Sequence, residues 1–237
     1  MKNILREIPF LRNNLLKARH KYWRSKTIKE WEKYKLLPVP KLQLGAGQNV
    51  LDGWFNTDYF PRKDIFFLDV TKPFPFADNI FEFIYSEHHI EHINYNDALY
   101  MLTEINRIAK RGALIRIATP NLKKYIQSYA SNLMQSDTIK KHVDNWIYSG
   151  FYKAASYIPV NDYYDAHFVN DIFLNYSHCF IYDFESLKAL LEKAGFINIC
   201  LKPQQEVSEP ALKNIEAHKT PFDIYFTLCV EAQKSLE

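Results

Sequence analysis

Short apolar runs alternate with stretches of helical period along most of the chain. The first four runs read "KLQL", "GWFNTDY", "DIFFLDV" and "FEFIY", and their turn-forming flanks are typical of β-strands. Over residues 97–110, Ala98, Leu102, Ile105 and Ala109 recur at helical spacing, and Gly112 supplies the expected stop. "ALIRIAT" is then a fifth strand. This order of strands and a crossover helix predicts a parallel sheet.

The second half of the chain begins less regularly. Residues 121–177 are rich in Tyr, Asn and Asp and show no long period beyond a helix over about 122–133, so we interpret them as an insertion covering the active face. A helix capped by Asp183 and ended by Gly195 follows. "INICLK" and "DIYFTLCVEA" are the last strands, the second antiparallel. We expect an α/β fold with a doubly wound, mostly parallel, seven-stranded Rossmann-like sheet, in one domain over residues 37–237.

Composition narrows the class of protein. With 237 residues, 47% of them hydrophobic, the chain is long enough to bury a core without disulfides or metals. The 3 cysteines are an odd number, far apart and without a C-x-x-C pair, which favours a reducing, cytoplasmic location. No apolar run approaches the roughly 18 residues of a membrane span.

The start of the chain is strongly basic. The first 35 residues hold 11 Lys or Arg against 3 Glu, a charge of +8 in a chain of net charge +3, so the remainder carries −5. Leu11, Leu15, Ala18 and Tyr22 are spaced for one helix face, which predicts an amphipathic segment over residues 1–36 in one helix or two. This stripe either packs on the domain or covers a pocket, or it lies on anionic lipid as a peripheral membrane contact. Nucleic acid is disfavoured because the body of the chain is acidic.

Small residues and acids follow the first three strands. The turn Gly45-Ala46-Gly47 lets a backbone approach a ligand closely, Asp58 is placed to accept hydrogen bonds from ribose hydroxyls, and Asp69 ends the next strand. Each feature alone also fits a plain turn or a helix cap. Val50 replaces the third glycine of a dinucleotide fingerprint, and the acid comes only 11 residues after Gly47, so nicotinamide binding is disfavoured.

Three longer stretches carry a family resemblance: "LQLGAGQNVLDGWFNTD", "LDVTKPFPFADNIFEFIYSEHHIEH" and "LTEINRIAKRGALIRIATPN". Together they resemble the class I S-adenosylmethionine-dependent methyltransferases. They are most similar to the type 11-like branch with a short link between the first glycines and a G-W-x-N-x-D strand, often found among envelope-polysaccharide enzymes. The resemblance covers about residues 41–121, with weaker agreement over 177–196.

The resemblance implies S-adenosylmethionine as cofactor and a set of contacts to it. Gly45, Ala46 and Gly47 would lie against its methionine part, Asp58 would hold the ribose, and Asp69 with Val70 would meet the adenine. Ser86, Glu87 and His88 would border the sulfonium end.

The stretch "YSEHHIEHI", residues 85–93, contains H-x-x-E-H, the inverted zinc-protease signature, in His88, Glu91 and His92. A protease needs a long helix through this motif, whereas a strand immediately precedes it. In the resembling family such a run commonly starts the helix after the fourth strand. We therefore interpret the histidines as part of an acceptor site. Glu91 either orients a histidine there or lies near the helix N-terminus, where its negative charge is favourable.

Methylation of a hydroxyl requires removal of a proton, and a histidine with a pKa of about 6.5 suits that task. We predict His88 and His92 as candidate bases, one turn apart on one face, with His178 completing the acceptor pocket. His92 alternatively only packs its helix, and His89 is expected to point to the opposite face.

A metal-dependent variant stays open beside this prediction, which itself includes no metal. Methyltransferases that act on vicinal diols hold a divalent ion with E-x-x-E-H at this location. His88, Glu91 and His92 are a near variant that needs a fourth ligand, such as His167 or His178.

The resemblance thus implies a methyltransferase acting on oxygen of a sugar or another small polar acceptor. The tyrosines of the insertion would stack on sugar faces or, alternatively, belong to the core. A phosphate-oxygen acceptor would need no base. The competing hypothesis is a non-catalytic binding or scaffold protein of the same fold. Neither hypothesis specifies an oligomeric state.

Overall fold

A seven-stranded sheet forms the centre of the computed structural model, which describes residues 9–131, 137–142, 165–174, 176–204 and 206–237. The strand order is β3-β2-β1-β4-β5-β7-β6. The strands are β1 (Lys41–Leu44), β2 (Phe55–Asp58), β3 (Phe66–Phe67), β4 (Phe81–Glu87), β5 (Ala109–Pro120), β6 (Phe196–Leu201) and β7 (Thr227–Lys234). Strands β1 to β5 pair in parallel, and β7 runs antiparallel to β5 and β6. The predicted doubly wound, mostly parallel α/β sheet is confirmed.

Seven described helices flank the sheet, and four of these seven begin at a side-chain N-cap. They are α1 (Pro9–Tyr34), α2 (Tyr95–Ile108), α3 (Leu122–Tyr129), α4 (Asp137–His142), α5 (Asp165–Leu174), α6 (Phe184–Lys193) and α7 (Pro221–Phe226). Single 3-10 turns span Ile90–His92 and Pro210–Leu212. The side chain of Asp183 caps α6 in a capping box with Ser186, which confirms the predicted start of that helix.

Two predicted boundaries are wrong. Gly112 does not end α2, because β5 already begins at Ala109 and pairs there with Phe81, and Gly112 lies inside this strand with φ 76°. Helix α7 occupies the first part of the predicted last strand, because Thr220 and Asp223 form a capping box that starts a helix.

The two faces of the sheet are covered differently. On one face, α1, α2 and α6 pack a continuous apolar core around strand residues such as Leu44, Ile84 and Ile115. On the other face, the segment over 203–218 lies against the sheet, and Leu212 packs with Tyr85. This face also holds Arg116, fully buried between the carboxylates of Glu216 and Glu231 at 2.6 and 2.9 Å.

Over residues 9–34 the predicted basic segment forms one continuous helix, and its described packed face differs from the predicted stripe. Residues 1–8 and the side chain of Leu11 lie outside the described residues. Leu15 and Tyr22 are 53% and 58% exposed. The contacts come instead from Thr27, whose hydroxyl donates to the carbonyl of Phe67 at 2.9 Å, and from Trp31, which is buried against three phenylalanine rings. Thr27 thus contacts the edge strand β3 and Trp31 packs across β2 and the start of β4, contacts that a local apolar period does not reveal. Over the part of the chain that is described, no helix has the length and apolar character needed to cross a membrane.

The described parts of the predicted insertion surround a second apolar cluster. Its members are Tyr125, Ile139, Phe168, Ile172, Ile181, Phe222 and Phe226. Helix α3 follows the end of β5 and α7 precedes the start of β7, so the cluster lies at the carboxyl edge of the parallel strands. The rest of the insertion, 132–136, 143–164 and 175, lies outside the described residues, and its covering role stays a prediction.

Candidate active site

The carboxyl ends of β1 and β4 are neighbours, since Leu44 pairs with Ser86. From β1 the chain proceeds to β2 and β3 on one side, and from β4 it proceeds to β5 on the other. Ligands of open α/β sheets bind where connections diverge in this way. The strand-end cleft is defined here as the turn after β1, the end of β2 and the residues after β4.

A hydrogen bond joins the turn after β1 to the end of β2 on one side of this cleft. Gly45 and Gly47 have φ of 65° and 56°, a conformation that glycine adopts without steric cost. The amide of Gly47 donates to Asp58 Oδ2 at 2.9 Å, and the amide of Phe60 donates to Oδ1 at 2.8 Å. Each carboxylate oxygen has about two lone-pair sites, so Asp58 keeps acceptor capacity for a ligand. Ala46 joins the turn to β2 by donating to the carbonyl of Thr57 at 2.9 Å.

His89 lies against the glycine turn after β1, while the ring of His88 lies against Thr227. A Cβ built on Gly45 would lie 2.4 Å from the imidazole of His89, whereas a Cβ on Gly47 meets no heavy atom within 4 Å. Burial lowers the pKa of His89, which favours its neutral form. Its Nδ1 and the Oγ of Ser86 are buried without a hydrogen-bond partner among the described residues. The cleft therefore presents open space beside Gly47 and two unpaired polar atoms.

Three other predicted cofactor residues have structural partners. Asp69 Oδ1 accepts from the amide and hydroxyl of Thr71 at 3.0 and 2.7 Å, as a turn former does. Val70 is buried in the main core. The carboxylate of Glu87 accepts from the amide of Ala217 at 2.8 Å on the face of the 203–218 segment. Their cofactor roles stay predictions.

His88 lies between a carboxylate and a hydroxyl. It has φ 44°, a strained conformation for a residue with a side chain. Its Nδ1 is 3.2 Å from Oε1 of Glu91, and its Nε2 is 3.3 Å from Oγ1 of Thr227. Glu91 is fully buried, and its Oε2 accepts from Thr119 at 2.9 Å. Burial alone would raise the pKa of Glu91, but the hydrogen bond and charge of His88 outweigh it and lower that pKa.

The predicted alignment of His88 and His92 on one helix face is wrong. Residues 90–92 form a single 3-10 turn, so the ring of His88 lies against Thr227 while the ring of His92 lies 4.9 Å from that of His178. The inverted zinc-protease geometry, which needs both histidines one turn apart on an α-helix, is absent at this motif.

Glu91, His92 and His178 form a compact group of possible metal ligands. One ligand atom from each lies within 4.8 Å of the others. Nδ1 of His178 is 2.5 Å from the carbonyl oxygen of Ile172, so this nitrogen donates and Nε2 retains its lone pair. Burial lowers the pKa of His178, which also favours the neutral, ligating form. The predicted metal ligands were His88, Glu91 and His92, with His167 or His178 as the fourth; in the structure His178, not His88, joins Glu91 and His92. The side chain of His167 lies outside the described residues.

His218 is a site residue that sequence reasoning missed. Its Nδ1 is 3.1 Å from Oε1 of Glu87, and its ring centroid is 4.3 Å from that of His88. The hydrogen bond with Glu87 raises the pKa of His218, because the carboxylate stabilises the imidazolium. The two residues are 131 positions apart in an aperiodic segment, so no local pattern indicates the pair.

A cavity of about 620 Å³ lies elsewhere, on the sheet face opposite the main core. Its lining includes Glu82, Lys110, Lys202 and Glu231, which carry both signs of charge. No residue of the strand-end cleft lines it. Converging unpaired polar atoms identify the cleft better than volume does.

The fold and cleft define a doubly wound α/β protein with a candidate ligand site at its switch point. No protein-family model and no curated protein matches the chain. Among solved structures, it is similar to an S-adenosylmethionine-dependent methyltransferase from Archaeoglobus fulgidus, at 13% identity and TM-score 0.46, covering 91% of this chain and 94% of that one. It is also similar to a possible histamine N-methyltransferase from Thermotoga maritima, at 16% identity and TM-score 0.45, covering 91% of each chain.

A third similar structure is the CurJ carbon methyltransferase, at 12% identity and TM-score 0.44. The alignment covers 85% of this chain, which spans about half (50%) of the length of that one. The proposal of an activity therefore rests on the geometry of the cleft.

Proposed function

We propose that this protein is an S-adenosylmethionine-dependent methyltransferase that methylates a hydroxyl oxygen of a sugar or similar small polar acceptor. One arrangement carries the proposal: Gly47 is bonded to Asp58 while His89 packs on Gly45, at the switch point of the sheet. Three chain segments thereby form one cleft, with the Asp58 carboxylate, which keeps acceptor capacity, at one side and unpaired polar atoms at the other.

The residues of this cleft fit the cofactor, which supplies an electrophilic methyl group when bound. The remaining lone pairs of Asp58 suit ribose hydroxyls, and the space beside Gly47 admits close approach of a ligand. Ser86 Oγ and His89 Nδ1 supply hydrogen bonds that the protein itself leaves unmade. His89 thus joins the set of proposed cofactor contacts.

His88 is the proposed base. Glu91 lies beside Nδ1, which favours a proton on that nitrogen and a lone pair on Nε2. The proton of the acceptor hydroxyl passes to Nε2, and the Thr227 hydroxyl occupies the hydrogen-bonding position that the acceptor would take. His178, with its free Nε2, stands on the other side of Glu91 as a second acceptor-site residue.

We take the acceptor class from the family resemblance and from the tyrosines of the 121–177 insertion, most of which lie outside the described residues. Histidine nitrogens can hydrogen-bond to neighbouring hydroxyls, and exposed tyrosine rings would stack on sugar faces. We extend the proposal to a cytoplasmic enzyme of polysaccharide modification.

The experiment is a release assay for S-adenosylhomocysteine with free sugars, sugar nucleotides and sugar phosphates as acceptors. We expect turnover with a hydroxyl acceptor, and His88→Ala lowers kcat by about 10²–10⁴-fold. Glu91→Gln lowers kcat with little change in cofactor affinity, since Glu91 acts through His88. Turnover that survives His88→Ala intact contradicts the assigned base and indicates an acidic oxygen as acceptor.

A second candidate function is metal-assisted methylation of a vicinal diol, favoured by the spacing of Glu91, His92 and His178. Two imidazoles and a carboxylate are a common ligand set for divalent metals. A bound cation there would supply charge for two neighbouring hydroxyls, and Thr119 and Ile172 would orient the ligands from behind.

A further inference from the structure

Helix α1 runs antiparallel to β2 and β3 and extends beyond their carboxyl ends. Near its end, Tyr34 contacts Phe66, the first residue of β3, with ring centroids 6.0 Å apart. Fourteen residues earlier, His20 contacts Phe67 at 5.0 Å and Tyr59, which follows the last residue of β2, at 5.4 Å. The helix axis therefore advances in the strand direction as the residue number falls.

The helix continues for the residues 9–19 before His20. At 1.5 Å per residue this portion is about 16 Å long. The described contacts between α1 and the sheet begin at His20, so this portion extends past the carboxyl ends of β2 and β3.

Charge is distributed unevenly along α1. From residue 15 to 29 there are 6 Lys or Arg and no Asp or Glu. The two acids of the described helix, Glu30 and Glu32, lie at the anchored end, where each pairs with a lysine. The part of α1 before Glu30 therefore carries a net positive charge, because no acidic side chain lies within residues 15–29.

Exposed apolar side chains accompany these cations. Leu15 and Tyr22 on α1 are 53% and 58% exposed, and Tyr59 and Phe60 after β2 are 39% and 62% exposed. The hydroxyl of Tyr59 lies 3.2 Å from Nε2 of His20, which joins the two elements. We define the α1 patch as Leu15, Lys17, Arg19, Lys21, Tyr22, Tyr59 and Phe60.

We propose that the α1 patch docks the protein on the surface of an anionic lipid bilayer. Lysine and arginine are attracted to anionic headgroups, and tyrosine and phenylalanine partition into the interface. A nucleic acid fits less well, because exposed aromatic and leucine side chains beside a single cationic helix suit a bilayer interface better than a phosphate backbone.

The test is co-sedimentation of the full chain with phosphatidylcholine vesicles that contain or lack phosphatidylglycerol. We expect binding to the anionic vesicles at low salt, release at high salt, and little binding to neutral vesicles. Lys17→Glu/Lys21→Glu lowers the affinity by at least about tenfold. The control Lys193→Glu/Lys213→Glu changes net charge equally at exposed positions away from α1 and keeps the affinity.

Circular dichroism verifies that both double variants are folded. The proposal is overturned if the wild-type protein stays in solution at low salt, or if both double variants lose binding equally. Tighter binding of single-stranded RNA than of vesicles, through the same lysines, also overturns it. Vesicle binding is measured without cofactor or acceptor, so its failure leaves the methyltransferase proposal untouched.

Discussion

Gly45 and His89 lie in direct contact, so close that a Cβ on Gly45 would be 2.4 Å from the imidazole ring. One residue follows β1 and the other follows β4, and their contact fixes the distance between the two strand-end turns. Close backbone approach is thus used within the protein at Gly45, while Gly47 faces open space. The two glycines of one short turn have different tasks.

A series of three glycine substitutions separates these tasks. Gly45, Gly47 and Gly53 all have positive φ, which costs an alanine about 1–2 kcal/mol. Gly45→Ala adds a collision with His89, worth about 1–3 kcal/mol more. Chemical denaturation should rank Gly45→Ala as the least stable of the three variants.

Gly53→Ala is the matched control, because its Cβ would meet only the end of the Lys41 side chain at 3.7 Å. Gly47→Ala should match it in stability but bind S-adenosylmethionine more weakly, since its methyl group enters the cleft. Equal stabilities for all three variants would contradict the contact between Gly45 and His89.

The strand ends were predictable because each short apolar run is followed by a turn former. The sheet, the Gly45 turn and Asp58 follow from such local signals, and the structure brings them together as expected. The cap of α6 was equally local, since Asp183 and Ser186 are three residues apart.

Tertiary contacts account for what the sequence did not reveal. The packed face of α1 is set by the edge strand it covers, and helical spacing alone selected Leu15 and Tyr22 instead. The pairing of His218 with Glu87 depends on a segment without periodicity. His92 does not share a face with His88, because residues 90–92 form a 3-10 turn, in which successive side chains are rotated by a different angle from that in an α-helix.

The Glu87–His218 pair predicts a pH effect that NMR can measure. The folded-state pKa of His218 is raised, so the pair contributes stability below the unfolded value of about 6.5 and loses it as pH rises through the folded pKa. In Glu87→Gln the pKa of His218 should fall, and the variant's stability deficit should be larger at pH 6 than at pH 9. An unchanged His218 titration in Glu87→Gln would contradict the pairing.

Arg116 should be essential for stability. Its loss leaves the buried carboxylates of Glu216 and Glu231 uncompensated, so Arg116→Met should cost about 3–5 kcal/mol in urea denaturation. The control is Lys110→Met, which breaks a half-exposed pair with Glu82 and should cost at most about 1 kcal/mol. Similar losses in both variants would argue against a buried ion network.

The metal candidate makes a prediction of its own. Paramagnetic resonance with Mn²⁺ should show binding that His178→Ala and His92→Ala each abolish. His20→Ala, on the opposite side of the cleft, should retain it. If Mn²⁺, Co²⁺ and Zn²⁺ all fail to bind the wild-type protein, the diol mechanism is excluded and His88 alone carries the acceptor chemistry.

The most direct measurement is calorimetry of S-adenosylmethionine binding to the wild-type protein and to Asp58→Ala and Asp58→Asn. Two hydrogen bonds from ribose to a carboxylate contribute about 1.5–3 kcal/mol each, so Asp58→Ala should weaken binding by about a hundredfold or more. The exposed Asp52→Asn is the control and should bind as the wild type does. No binding to the wild-type protein, or binding that both Asp58 variants retain, would contradict the cofactor site and favour a non-catalytic protein of the same fold.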